Sequence, residues 1–98
     1  MDRTLALTRL RACADAVRAS GATGLYLFGS TARGEARADS DLDLFLDFDS
    51  AAGFSLVDLV EIKQLIEDRL GVPVDLATRD SLHPALKSEV ERGAVRVF

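Results

Sequence analysis

Two short apolar runs, Leu25–Phe28 and Leu42–Phe48, bracket a stretch of small and polar residues that opens on Gly29-Ser30 and closes on Asp41-Leu42-Asp43. Apolar runs of this length, bounded by turn residues, read as strands. In a strand, alternate side chains share a face. Asp41 and Asp43 therefore lie side by side, while Leu42, Leu44 and Leu46 point the other way and can pack under a helix. Asp47 shares the acidic side, but it sits roughly 13 Å along the strand from Asp43 at ~3.3 Å per residue, too far to hold the same ion.

The remaining chain fits around these strands. Leu7, Leu10, Ala14 and Val17 recur at helical spacing and predict a helix over about 4–20, stopped by Gly21. The 29–34 turn has room for a short helix. A second long helix starts at Ser55, with Asp58 in its first turn and Phe54 placed to staple onto Leu59. Its expected apolar face is Leu56, Leu59, Ile62, Ile66 and Leu70, and Gly71 ends it. A third strand is expected over Val72–Leu76, with Pro73 near its start. A short helix on Leu82, Leu86 and Val90 follows, with Pro84 in its first turn, and then a last strand through Val95 and Val97. The fold expected is α/β, a small mixed β-sheet flanked by helices, formed by residues 1–98 as one domain.

Bare backbone N–H groups and a hydroxyl at Gly29 and Ser30 can approach an anion closely. Two carboxylates held side by side repel, and a bound cation relieves that repulsion. Mg²⁺ takes one or two carboxylates plus phosphate oxygens, which suits such a rim. Either half alone is ordinary turn chemistry; together they point to nucleotide chemistry. On the third strand, Asp75 shares the outward side with Asp41 and Asp43 if Val74 and Leu76 face the helices. By itself, an isolated strand aspartate reads as a surface residue more readily than as a ligand.

The string from Gly29 to Leu44 resembles the signature of the DNA polymerase β nucleotidyltransferase superfamily, Gly-Ser followed about a dozen residues later by Asp-x-Asp. More narrowly, it resembles the minimal nucleotidyltransferases (MNT proteins) of prokaryotes, with the motif G-S-x-A-R-G-x5-S-D-x-D-L. Gly29, Ser30, Ala32, Arg33, Gly34, Ser40, Asp41, Asp43 and Leu44 fill every fixed position. The resemblance implies a polymerase β-like fold and transfer of AMP from ATP to a hydroxyl. It implies two Mg²⁺ ions on Asp41 and Asp43, with Asp75 as the third catalytic and metal-holding acid. Gly29, Ser30 and Arg33 would bind nucleotide phosphates, and Ser40 would orient Asp41. It further implies a partner, since small MNT proteins are paired with HEPN ribonuclease toxins and act as antitoxins by adenylylating a tyrosine. Two alternatives stand beside this: an antitoxin acting by contact alone, and a small-molecule nucleotidyltransferase working as a homodimer.

Composition excludes other classes. A net charge of −4 argues against direct nucleic-acid binding, which draws its affinity from basic patches. The single Cys13 allows neither an internal disulfide nor a thiolate cluster, as expected of a reducing cytoplasm. No stretch reads as a signal peptide or membrane span. His83, the only histidine, is expected to be a turn or cap residue.

Overall fold

The computed structural model describes residues 1–35 and 41–98. Helices α1 (Arg3–Ala12) and α2 (Ala14–Ala19) lead into strand β1 (Ala22–Phe28) and a one-turn helix α3 (Gly29–Ala32). Strand β2 (Leu42–Phe48), helix α4 (Leu56–Leu70) and strand β3 (Val74–Thr78) follow, then a 3-10 turn at Arg79–Ser81. Helix α5 (Pro84–Gly93) and the two-residue strand β4 (Val95–Arg96) complete the order. The strands form one sheet in the order β3-β2-β1-β4. β1 pairs antiparallel with β2 and β4, and β2 pairs parallel with β3. This is the mixed sheet with flanking helices that the sequence predicts.

The two faces of the sheet differ. Leu25, Leu27, Leu42, Leu44, Leu46 and Val74 turn to one side, where they form a core with Ala6, Leu10, Cys13 and Val17 of the N-terminal helices and Ile62, Ile66 and Leu70 of α4. Tyr26, Phe28, Asp43, Phe45, Asp47 and Asp75 alternate with them and therefore occupy the other side. There Phe45 stacks on Tyr26 (ring centroids 4.8 Å apart) and meets Phe28 edge-on at 5.7 Å. These contacts leave Phe45 only 1% exposed.

Several elements depart from expectation. The N-terminal helix tightens at Cys13, whose N–H reaches back to the Leu10 carbonyl, but its buried spacing continues through Val17. β3 starts two residues later than predicted. Gly71 takes the left-handed α4 cap (φ +72°), and Pro73 offers only its carbonyl, to the Leu42 N–H, so regular pairing begins at Val74. Leu56, expected on the apolar face of α4, is 74% exposed, whereas Ile62, Ile66 and Leu70 farther along the same helix are buried. At the start of α4 the Asp58 carboxylate accepts from the Ser55 N–H at 2.8 Å, as read, while the Phe54 ring, expected to staple onto Leu59, stacks on Phe48. His83 caps α5, its Nδ1 accepting from the Ala85 N–H at 3.1 Å.

Candidate active site

Strand register assembles the site. Phe28, the last residue of β1, lies opposite Asp43 on β2, and Asp43 lies opposite Asp75 on β3. Because β2 is antiparallel to β1 and parallel to β3, the end of the first strand meets the starts of the other two. Asp41 immediately precedes β2. The Gly29 turn and three carboxylates thus share one edge of that second face. Asp47, farther along β2, is occupied by Arg79, whose Nε and Nη2 donate to its two oxygens at 2.8 and 3.0 Å.

Gly29 is fixed by two constraints. Its φ of +74° lies in the left-handed region, and a Cβ built there would overlap the Asp43 carboxylate. Any other residue would displace the acid. The Asp43 carboxyl is half-buried, and its pKa is raised. Loss of solvent is the largest cause, followed by repulsion from Asp75 and then Asp41, with the Arg33 charge opposing. A carboxylate pushed in this direction is one that a cation would stabilise. Among the described residues, no three acidic, histidine or cysteine side chains converge into a closed metal cage. Mg²⁺ requires none, since it completes its shell with water and substrate phosphate. The residues present therefore fit a divalent cation delivered with a nucleotide.

Ser30 lies within α3, where the first N–H groups of a helix lack intrahelical acceptors. Arg33 is exposed just after α3 and donates from Nε to Glu35 at 3.1 Å. Ser40 lies outside the described residues. Beside the acids is a cleft of about 440 Å³, with Phe28, Gly29 and Arg33 on one side and Leu86, Glu89 and Val90 of α5 on the other. That volume is within the range of small-molecule sites. The sequence assigns Leu86 and Val90 to a packed helix face. Instead, Leu86 is 54% exposed and both line the cleft. Their i, i+4 spacing reads the same for a core and for a cleft wall.

Fold and site together define the polymerase β-like nucleotidyltransferase class, and comparisons with known proteins agree. The model of the nucleotidyltransferase domain family matches residues 10–97. A solved structure of a candidate minimal nucleotidyltransferase is 42% identical, with a TM-score of 0.75 over 97% of this chain and 95% of that one. Protein adenylyltransferase MntA of Thermococcus cleftensis is 38% identical over 77 residues, covering 79% of this chain and 76% of the relative. A likeness of fold alone, at 19% identity and a TM-score of 0.64, extends to a Shewanella oneidensis complex of a tri-AMPylated HEPN toxin with its MNT antitoxin, covering 98% of this chain and 71% of that one. The chain belongs to the nucleotidyltransferase domain family, among its minimal members, and is an enzyme of that class.

Proposed function

We propose that this protein transfers AMP from ATP, with Mg²⁺, to a tyrosine hydroxyl on a partner HEPN ribonuclease toxin, and so acts in the cytoplasm as an antitoxin. The observation that carries the reading is the register placing Asp43 beside Asp75 while the Asp43 carboxylate leans on Gly29. Support for the acceptor comes from the adenylyltransferase relative and from the toxin–antitoxin complex that shares the fold.

Divalent cations held by Asp41 and Asp43, with Asp75 contributing to one of them, would neutralise charge on the phosphates and lower the pKa of the acceptor hydroxyl. The protein's own groups do the positioning. Backbone N–H groups at Gly29 and Ser30 and the Ser30 hydroxyl receive the terminal phosphates, and Arg33 adds a positive charge beside them. Ser40 orients Asp41. The nucleoside end occupies the cleft against α5. An Asp75 carboxylate oxygen takes the acceptor proton as the acceptor oxygen bonds to the α-phosphorus. The bond from that phosphorus to the bridging oxygen breaks, and pyrophosphate leaves with its electrons.

The test is transfer of label from α-labelled ATP with Mg²⁺, using a HEPN partner and its Tyr→Phe variant as acceptors. Label on the tyrosine form only, lost with Asp41→Asn/Asp43→Asn, is expected. Neutralisation of the toxin by that double variant would mean that contact alone suffices. Label on a small molecule without any protein acceptor would reassign the substrate.

A further inference from the structure

The wall of the cleft is a helix that packing alone does not hold. None of the ten residues of α5 is buried. Lys87 and Glu91, one turn apart on the helix, are instead gripped by the 3-10 turn that follows β3. Arg79 Nη1 donates to Glu91 at 2.8 Å, and Lys87 Nζ donates to Asp80 at 3.4 Å. The second tie is long and lies on exposed groups, so it contributes little. The first is different in kind. Arg79 is anchored before it reaches α5: two of its N–H groups go to Asp47, and its guanidinium lies 4.8 Å from the Tyr26 ring centroid and 5.0 Å from that of Phe45. A planar guanidinium stacked on aromatic faces and forked onto a carboxylate has little freedom left. Whatever it holds is fixed relative to the sheet.

The consequence runs to the site. The aromatic floor beneath Arg79 continues to Phe28, which packs edge-on against Phe45 and itself lines the cleft. Residues 87 and 91 take the tethers, so residues 86, 89 and 90 of the neighbouring helix surface are turned towards Gly29 and Arg33. We propose that Arg79 is a positioning residue for nucleotide binding: by holding Glu91 it sets where the α5 wall stands against the Gly29 turn, and so the width of the cleft. This rests on the reading that the cleft receives the nucleoside end of ATP.

The test separates positioning from bulk stabilisation. Glu91→Gln weakens only the final link and leaves the Arg79–Asp47 fork and the ring stack in place; Arg79→Met removes the whole device. For each, and for the native protein, hydrogen exchange of the 84–93 amides, the melting temperature and the affinity for a non-hydrolysable ATP analogue with Mg²⁺ are measured. In Glu91→Gln, exchange in α5 should rise while that in α4 holds. Nucleotide affinity should fall about five- to tenfold, with little change in melting temperature. Arg79→Met should lose at least as much affinity. Arg79→Lys should not restore it, since an ammonium cannot reproduce the fork and the stack. Faster α5 exchange with unchanged affinity, or unchanged exchange in both variants, overturns the proposal. If the native protein itself fails to bind the analogue, the reading of the cleft as a nucleotide site fails first.

Discussion

The two faces of the sheet are built from the same strands by opposite rules. On the covered face β2 sets Leu42, Leu44 and Leu46, sealed by α4 and the N-terminal helices, with Phe48 packed against the same core at its end. On the open face the same strand carries Asp43, Phe45 and Asp47. One side maximises apolar burial. The other holds like charges together and keeps a glycine where any side chain would overlap the Asp43 carboxylate. Stability and chemistry are thus divided between alternate residues of one strand, and substitutions should separate them.

The largest effect belongs to the acids. Asp41→Asn/Asp43→Asn should lower AMP transfer by at least about a thousandfold, several kcal/mol of transition-state stabilisation, with an unchanged circular dichroism spectrum. Leu44→Ala should do the reverse. Losing a fully buried leucine costs about 2–5 kcal/mol, read as a lower denaturant midpoint, while the molecules that remain folded keep their specific activity. Gly29→Ala should cross the division, because its φ and its contact with Asp43 serve both faces. A stability loss of about 1–2 kcal/mol together with reduced transfer is expected. Val60→Asn, on the exposed surface of α4, should change stability by less than about 0.5 kcal/mol in the isolated protein.

Much of this division was legible in the sequence, for a physical reason. A period of two with large leucines on one side and acids on the other has a single sensible orientation, so the β2 boundaries and the facing of Asp43 follow from pattern alone, whereas the facing of Asp75 depended on which way Val74 and Leu76 turned. The displaced start of β3 was harder to see, since Val72-Pro73-Val74 looks strand-like until the left-handed Gly71 cap is in place. Leu56 and Leu86 show a second gap: periodicity identifies a helix face but not whether a neighbour is long enough to cover it. The Arg79 knot was invisible. Its partners, Asp47 and Glu91, come from different elements, and only tertiary packing brings them together.

Electrostatics offers the sharpest contrast between the faces. Asp43 has a folded-state pKa above its unfolded value. The metal-free protein is therefore most stable with that group protonated, and loses this contribution as pH rises from the ordinary carboxylate pKa through the raised folded-state one. Neutralising Asp43 should strengthen the metal-free fold but deprive a cation of its ligand.

The most direct test is the melting temperature of the native protein and of Asp43→Asn at neutral pH, first with chelator and then with saturating Mg²⁺ and a non-hydrolysable ATP analogue. With chelator the variant should melt higher than the native protein, because the neutral side chain escapes the loss of solvent and the repulsion from Asp75 and Asp41. With metal and nucleotide the order should reverse, because only the native site binds both tightly. A variant that melts lower under both conditions, or a native protein indifferent to metal and nucleotide, would contradict the claim that this crowded acidic edge is held ready for a cation and a triphosphate.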